Sequence, residues 1–168
     1  VDGVTWKEYG EGLEGRIADL HGRVQGGRYR AQPSRRIYIP KADGRMRPIG
    51  IAALEDKIVQ HAVAQMLGAI WEADFANFSY GFRPGRRQHD ALDALYVALT
   101  ERKVSWVLDA DIKGFFDNLD HEWLMKFVAH RVADERVLDL IRRWLRAGVS
   151  EDGEWSESTK GTTSSTCG

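Results

Sequence analysis

Hydrophobic residues recur at helical spacing in five segments of the chain. In the first, Tyr9, Leu13, Ile17, Leu20 and Val24 follow one another at steps of three or four, which predicts one amphipathic helix ending before Gly26-Gly27. Internal glycines disfavour its first half. The same spacing predicts further helices over residues 54–71, 88–101, 121–131 and 134–146.

Short runs of β-prone residues predict three further elements. Residues 35–51 (RRIYIPKADGRMRPIGI) contain two such runs around Ala42-Asp43-Gly44, which indicates a hairpin. Residues 104–111 predict a buried strand that ends in acidic side chains, and Asp152-Gly153 within VSEDGEWSES predicts a last hairpin. Helices alternating with few strands indicate an α+β or α/β architecture.

Composition excludes some classes of protein. The 168-residue chain has a single cysteine, so no internal disulfide framework is possible. No apolar run approaches the roughly 20 residues of a membrane span, and no leader segment opens the sequence. We therefore expect a soluble, cytoplasmic protein without membrane partners.

The net charge of −1 conceals a separation of charge along the chain. Residues 28–47 hold seven basic side chains against one acidic one, whereas residues 109–157 hold twelve acidic against seven basic. Such asymmetry creates local potentials that attract charged partners. A solvated basic face without any partner explains the cluster equally well.

The stretch VLDADIKGFFDNLDH, residues 107–121, carries the candidate chemistry. If residues 104–111 form a strand, Asp109 and Asp111 lie on the same face, and paired carboxylates suit Mg²⁺. Aspartates at a strand end also commonly begin a turn or cap a helix. Phe115 and Phe116 follow closely and suit either a sugar-binding wall or the core.

Other side chains in the predicted elements have structural explanations. Asp120 predicts an N-cap for the helix after it. His89 and His121 are single histidines near helix starts, typical of hydrogen-bonded structural residues. The tryptophans at 123 and 144 have the spacing of core residues. For Tyr80 and Phe82, stacking on nucleic-acid bases and core packing are both open.

Five stretches carry a family resemblance: VDGVTWKEY, RRIYIPKADGRMRPIGI, EDKIVQHAV, EADFANFSYGFRPGRRQHDAL and VLDADIKGFFDNLDHEWL. They resemble the fingers and first palm segment of group II intron reverse transcriptases, the intron-encoded maturase and retron-like enzymes of bacteria. The resemblance implies an α+β fold of helices on a small, mainly antiparallel sheet. It implies an N-terminal extension and fingers, a partial palm and a divergent tail, at residues 1–100, 101–162 and 163–168.

Roles follow from the resemblance position by position. Asp111 matches the first catalytic aspartate of the palm, and the Ile112 carbonyl matches a backbone ligand of the Mg²⁺ ions. Phe116 resembles the aromatic gate that excludes the 2′-hydroxyl of ribonucleotides. Lys41 and Arg47 match the cations that hold the incoming deoxynucleoside triphosphate. The RNA-binding positions implied by the match are Arg28, Arg30, Arg35, Arg36 and Arg83.

The reaction implied is RNA-directed DNA synthesis. A DNA primer 3′-hydroxyl would attack the α-phosphate of a deoxynucleoside triphosphate, with two Mg²⁺ ions and group II intron RNA as template. Asp109 would have a structural role or would support the metal ligand without binding the metal itself.

The sequence departs from the family near its end. The family continues with Gly-Thr-Pro-Gln-Gly-Gly and later a Tyr-Ala-Asp-Asp turn, whereas this chain matches Gly161 and Thr162 and then reads TSSTCG, like truncated or out-of-frame sequence. We therefore expect an N-terminal fragment, inactive by itself, because the second aspartate pair and the thumb are missing. The alternatives are a non-catalytic RNA-binding module derived from the fingers and an unrelated Mg²⁺-dependent phosphotransfer or nuclease fold.

Overall fold

A computed structural model describes residues 2–102, 104–158 and 160–161. Over these ranges it has α-helices and a small sheet, which confirms the α+β class. The helices are α1 (Trp6–Gly10), α2 (Leu13–Gln25), α3 (Leu54–Glu72), α4 (Gln88–Glu101), α5 (His121–Arg131) and α6 (Glu135–Arg146). The strands are β1 (Ser34–Pro40), β2 (Met46–Ile51), β3 (Val149–Glu151) and β4 (Glu154–Ser156).

Packing divides the described residues into two compact units. The first comprises the described residues up to His61 and from Gly114 onward, and the second comprises Ala62–Lys113. The division at residue 100 that the resemblance implies stays a prediction. The tail at 163–168 lies outside the described residues. No helix in the described ranges is long and apolar enough to cross a lipid bilayer.

The four strands of the first unit form one sheet in the order β2-β1-β3-β4. Both hairpins are antiparallel, and a short parallel ladder between β1 and β3 joins them. Gly148, with φ +76°, precedes β3, and an added Cβ there would lie 2.7 Å from the Trp155 indole nitrogen. The second hairpin therefore closes only with glycine at position 148.

The core of the first unit is built around Tyr29, which is almost fully buried. Its hydroxyl donates to the buried Asp56 carboxylate and accepts from Trp144 Nε1 at 2.9 Å. Asp56 Oδ2 also accepts from the Gln32 amide at 2.9 Å. The network joins α3, α6 and the segment before β1, and every polar group in it is paired. The buried apolar residues are Tyr9, Leu20, Ala52, Ala53, Val59, Val128, Val132, Leu138, Leu140 and Val149.

Most predicted elements are confirmed, but the first predicted helix is two helices. α1 begins with a capping box, in which Thr5 Oγ1 accepts from the Glu8 amide and the Glu8 carboxylate accepts from the Thr5 amide. Gly12 then takes φ +74°, a left-handed conformation that interrupts the helix before α2 begins. The break thus occurs at one of the internal glycines that disfavoured the first half of the predicted helix.

The predicted strand at residues 104–111 is wrong for this chain. Residues 104–112 are exposed, but they are in no strand and pair with none of the described strands. A β-strand persists only when neighbouring chain satisfies its amides and carbonyls, so apolar sequence by itself does not form one.

The core assignment of Trp123 is also wrong, since the residue is 58% exposed. Helical spacing on α5 therefore does not by itself place this residue in the core. The side chain contacts Phe127 on the same helix, with ring centroids 6.1 Å apart. The N-cap prediction for α5 is confirmed, because Asp120 Oδ1 accepts from the Trp123 amide at 2.9 Å.

Candidate nucleic-acid interface

The β1–β2 hairpin carries most of the predicted basic cluster, and its turn is tightly built. The Lys41 amide donates to the Arg45 carbonyl at 2.7 Å, and Gly44 turns the chain with φ +81°. The Asp43 carboxylate accepts from the amide and guanidinium of Arg45 at 2.6–3.0 Å. Those hydrogen bonds hold the pKa of Asp43 below its usual value. Arg45 is therefore engaged within the turn.

Strand register decides which basic side chains share a face of the hairpin. Arg35 pairs with Ile51, and Ile39 pairs with Arg47, so these four residues lie on one face with Ile37 and Ile49 between them. Arg36 and Tyr38 lie on the opposite face. There Tyr38 donates to Glu151 Oε1 at 2.7 Å and Arg36 lies 3.6 Å from Glu151 Oε2.

The basic side chains divide into paired and unpaired groups. Arg36 and Arg45 contact carboxylates, and Arg30 donates to the carbonyls of Gly27 and Tyr29 at 3.4 and 3.3 Å. Four exposed cations form no direct ion pair among the residues that the structure describes: Arg28, Arg35, Lys41 and Arg47. Of these, Lys41 lies near enough to Asp43 for its charge to help lower the pKa of that carboxyl. Free cations of this kind are available to phosphates.

Arg83 lies in the second unit and is 7% exposed. Its guanidinium forms a bidentate pair with Glu72, at 2.6 and 3.2 Å, and donates to the carbonyls of Ala76 and Ser79 at 2.8 and 2.9 Å. It also lies over the Phe75 ring, 4.9 Å from the centroid. The hydrogen bond to Arg83 lowers the pKa of Glu72. This arginine is thus engaged within its own loop.

The predicted metal ligands Asp111 and Ile112 lie in the second unit, in a stretch without regular secondary structure, and both are exposed. Mg²⁺ sites are built from several oxygen ligands held together. Across the described part of the chain, no three histidine, cysteine or acidic side chains come together in a group that could hold a metal ion. The described residues therefore supply a candidate ligand without a complete metal site.

Phe116 lies in the first unit and is 56% exposed. Its ring meets that of Phe115 edge-to-face, with centroids 5.3 Å apart. The turn that carries them begins at Gly114, with φ +63°, whose carbonyl accepts from the amide and the side chain of Asn118 at 3.0 and 2.8 Å. The ring is thus presented from a hydrogen-bonded turn.

Sequence reasoning did not identify the segment at Gly161, which packs against this turn. The Gly161 amide donates to the Leu119 carbonyl at 2.8 Å. Gly161 is buried, and a Cβ there would lie 2.7 Å from the Phe116 carbonyl oxygen. The prediction of a structural, hydrogen-bonded His121 is confirmed, because its Nε2 contacts the Gly161 carbonyl oxygen.

A family model matches most of the chain. Residues 39–166 match the model described as reverse transcriptase (RNA-dependent DNA polymerase). The match includes the turn and second strand of the hairpin, with Lys41 and Arg47, and it includes Arg83, Asp111 and Phe116. Arg28, Arg30, Arg35 and Arg36 precede it.

Curated proteins with related sequences include intron-encoded proteins. The chain is 38% identical over 164 residues to Protein YkfC of Escherichia coli (strain K12). That alignment covers 96% of this chain and 43% of the relative. It is 36% identical over 150 residues to Group II intron-encoded protein LtrA of Lactococcus lactis subsp. cremoris. That alignment covers 89% of this chain and 25% of the relative.

A third relative is the Uncharacterized 91 kDa protein in cob intron of Schizosaccharomyces pombe (strain 972 / ATCC 24843), at 37% identity over 130 residues. That alignment covers 77% of this chain and 16% of the relative. The chain therefore spans less than half the length of each of these three relatives.

Proposed function

Because this chain belongs to the reverse transcriptase (RNA-dependent DNA polymerase) family, we propose that it forms the fingers and first palm segment of a group II intron reverse transcriptase. The complete enzyme would copy intron RNA into DNA from a DNA primer. Support comes from the similarity to the intron-encoded LtrA, which extends over 89% of this chain.

The observation that carries the proposal is the set of unpaired cations on the β1–β2 hairpin. Lys41 adjoins the end of β1, and Arg47 pairs across from Ile39 near the same end of the hairpin. An ammonium supplies a point charge and a guanidinium a planar fork, which together suit a triphosphate. Arg45 does not share this role, since Asp43 holds it.

RNA would be bound by other basic residues of the same unit. Arg28 and Arg35 are exposed and without acidic partners in the described ranges, so they are free to contact template phosphates. Arg30 and Arg36 are proposed to contribute from positions already ordered by Tyr29 and Glu151. Such contacts carry no sequence information and make binding depend on salt.

Phe116 is proposed to select deoxynucleotides. A rigid aromatic ring that is more than half exposed can exclude a 2′-hydroxyl by contact with the sugar. Its neighbour Phe115 limits the directions in which it can rotate. The turn supported by Gly161 would keep that ring in one position.

Mg²⁺ is the proposed cofactor of the complete enzyme, with the Asp111 carboxylate and the Ile112 carbonyl among its ligands. Bound metal would stabilise the charge that develops on phosphate oxygens. The described residues do not assemble the several oxygen ligands that such a site needs. We therefore propose that the 168-residue chain by itself is inactive in DNA synthesis.

The same observation favours a second function for the isolated chain, that of a non-catalytic RNA-binding module. The cations on the hairpin and before β1 do not need a metal site in order to bind phosphate. Both proposals therefore require that the chain bind RNA, and they differ over whether Asp111 matters.

Fluorescence anisotropy with a labelled RNA tests this shared requirement. We expect the double variant Arg28→Gln/Arg35→Gln to weaken binding and to reduce the slope of log affinity against log salt by about 1 to 2. Arg142→Gln is the matched control, because Arg142 is engaged with Glu135 and Asp139 on α6. Equal losses in both variants, or RNA affinity independent of salt, would count against the proposal.

A further inference from the structure

The β1–β2 hairpin extends well beyond the strand that joins it to the rest of the sheet. The parallel ladder between β1 and β3 consists of two pairs, Ser34 with Val149 and Arg35 with Ser150. β1 then continues to the turn that contains Lys41. At about 3.3 Å per residue, this turn lies roughly 20 Å beyond Arg35. The proposed triphosphate site is therefore carried on the far end of a long hairpin.

Such a hairpin needs a second attachment if its tip is to keep one position. A two-stranded ribbon has little stability of its own in water. A tilt of about 15° at the ladder would move a tip roughly 20 Å away by about 5 Å. Misplacement of a contact residue by about 1 Å can already cost a large part of an enzyme's rate. Lys41 and Arg47 therefore depend on whatever fixes the outer part of β1.

Glu151, the last residue of β3, makes that second attachment. Its Oε1 accepts a hydrogen bond from the Tyr38 hydroxyl at 2.7 Å, and its Oε2 lies 3.6 Å from Arg36 Nη1. Tyr38 comes three residues after Arg35, where the ladder ends, so the carboxylate reaches a part of β1 that β3 does not pair. The side chains of Glu151, Tyr38 and Arg36 are called here the carboxylate brace.

The hydrogen bond from Tyr38 is the stronger part of the carboxylate brace. A hydroxyl that donates to a carboxylate makes a charge-assisted bond, roughly twice as strong as a bond between neutral groups. This bond raises the pKa of Tyr38, so the hydroxyl remains a donor at neutral pH. The contact with Arg36 is longer, and the two side chains are 38% and 39% exposed, so it contributes little. The brace therefore acts mainly through Tyr38.

The β3–β4 hairpin, which carries Glu151, has a well-defined position of its own. Its turn contains Asp152 and Gly153, with φ +49° and +87°, the left-handed pair that suits a two-residue connection between antiparallel strands. Trp155 Nε1 donates to the Ala147 carbonyl at 3.0 Å, which joins β4 to the end of α6. Glu151 therefore projects from a rigid element, as a side chain that positions others must.

The carboxylate brace and the proposed triphosphate cations lie on different faces of the β1–β2 hairpin. Side chains alternate along a strand, so Tyr38 and Arg36 share one face, whereas Arg47 lies on the other with Ile39. Glu151 thus holds the hairpin without forming an ion pair with Arg47, whose guanidinium stays available to phosphate.

We propose that Glu151 is a positioning residue for the incoming triphosphate, because it holds the outer part of the β1–β2 hairpin through Tyr38. This inference rests on the proposed function, in which Lys41 and Arg47 contact the phosphates themselves. It gives the β3–β4 hairpin a part in nucleotide binding, although Glu151 does not touch the nucleotide.

Glu151 has two effects on triphosphate binding, and they have opposite signs. Its carboxylate is an anion near a basic surface and repels a triphosphate, so electrostatics alone predicts tighter binding when the charge is removed. Its hydrogen bond to Tyr38 holds the hairpin, so positioning predicts weaker binding when the carboxylate is removed. The sign of the change therefore separates the two effects.

NMR titration of the 168-residue chain with a deoxynucleoside triphosphate measures this sign. We expect Glu151→Ala and Tyr38→Phe each to weaken binding about three- to tenfold, the loss typical of one hydrogen bond. Glu154→Ala is the matched control, because Glu154 is exposed and pairs with Glu151 across the turn. It removes the same charge from the same hairpin and leaves the carboxylate brace intact. The affinity of this control should stay constant or rise slightly.

Two further variants test whether Glu151 acts through Tyr38. The double variant Glu151→Ala/Tyr38→Phe should bind the triphosphate no more weakly than either single variant, since all three lack the same hydrogen bond. Glu151→Gln keeps a carbonyl oxygen that can accept from the Tyr38 hydroxyl, so it should lose less affinity than Glu151→Ala. Losses that add fully in the double variant would contradict a common route.

The heteronuclear NOE of backbone amides distinguishes a mobile tip from general unfolding. In Glu151→Ala and Tyr38→Phe we expect this value to fall at Gly44, in the turn of the β1–β2 hairpin, and to stay constant at Leu138, which is buried in α6. A parallel fall at both amides would show a purely structural effect and would overturn the inference.

The positioning inference and the proposed triphosphate site fail in different ways. If Lys41→Ala and Arg47→Ala weaken binding while Glu151→Ala leaves it unchanged or tightens it, the positioning inference is wrong and the triphosphate site stands. If binding of the triphosphate does not depend on Lys41 or Arg47, both are wrong.

Discussion

The Nε2 atom of His121 lies 2.6 Å from the carbonyl oxygen of Gly161, 40 positions further along the chain. This contact brings the last described residues against the turn that carries Phe116. Gly161 there takes φ +77° and approaches the backbone of Phe116 and Asp117. The proposed gate is thus supported by a segment remote in sequence, and that support can be tested without catalysis.

We expect Gly161→Ala to destabilise the chain by about 2–4 kcal/mol, the sum of a left-handed alanine and an overpacked contact. Gly153→Ala is the matched control, because Gly153 has φ +87° and open space around it. Gly153→Ala should lower the free energy of unfolding only by the cost of a left-handed alanine, about 1–2 kcal/mol. Urea unfolding of both variants gives the difference, and equal destabilisation would show that the contact with Phe116 is unimportant.

The buried Asp56 should make stability depend on pH in a direction opposite to ordinary surface carboxylates. Burial raises its pKa, although hydrogen bonds from Tyr29 and the Gln32 amide oppose that shift. With a raised pKa the folded state binds the proton more tightly than the unfolded state does. This contribution to stability is therefore complete below the unfolded pKa of about 3.9 and is lost as pH rises through the folded pKa.

Asp56→Asn removes this titration. We expect the free energy of unfolding of the wild-type chain, minus that of Asp56→Asn, to fall as pH rises from about 4 and to become constant above the folded pKa. Denaturant unfolding at a series of pH values measures this difference, in which titrations common to both proteins cancel. A difference that rises with pH would contradict the raised pKa.

Lys41 and Arg47 should bind triphosphate while Arg45, between them in sequence, should not. We expect Lys41→Ala and Arg47→Ala each to weaken binding of a deoxynucleoside triphosphate about tenfold, as expected for loss of a charged hydrogen bond. Arg45→Ala should change the affinity for the triphosphate by no more than about twofold, because the Arg45 guanidinium is already hydrogen-bonded to Asp43. NMR titration of the 168-residue chain measures all three, and a loss in Arg45→Ala equal to the others would contradict the assignment.

Asp111→Ala should abolish primer extension in a complete reverse transcriptase that contains this chain. Loss of a metal-binding carboxylate removes several kcal/mol of transition-state stabilisation, about a thousandfold or more in rate. Asp109→Ala is the neighbouring control and should reduce the rate far less. Primer extension by the Asp111→Ala enzyme at a near wild-type rate would contradict the proposed role of Asp111 as a metal ligand.

The isolated 168-residue chain should not extend a primer on an RNA template in the presence of Mg²⁺. Its described residues gather no group of ligands for the metal. A radiolabelled primer-extension assay at high chain concentration measures this, with a complete reverse transcriptase as the positive control. Appreciable, Asp111-dependent extension would show that the chain assembles a metal site by itself.

Local patterns in the sequence were sufficient for α3 to α6 and for both hairpins. α5 and α6 were predicted within a residue of their bounds, because apolar spacing and the Asp120 cap act within a few residues. The turn of the first hairpin is also local, since Asp43 and Gly44 supply its hydrogen bonds and its positive φ. The family resemblance supplied the names of candidate site residues.

Only the tertiary structure decided what those residues can do. Arg35 and Arg83 look alike in sequence, yet Arg35 is exposed and Arg83 is buried against Glu72. Residues 104–111 have the composition of a strand but are in no strand. Whether a charge is free, a ring is exposed or a strand is paired depends on residues distant in the chain. Burial and pairing are properties of the packed chain, so a one-dimensional pattern determines elements but not their partners.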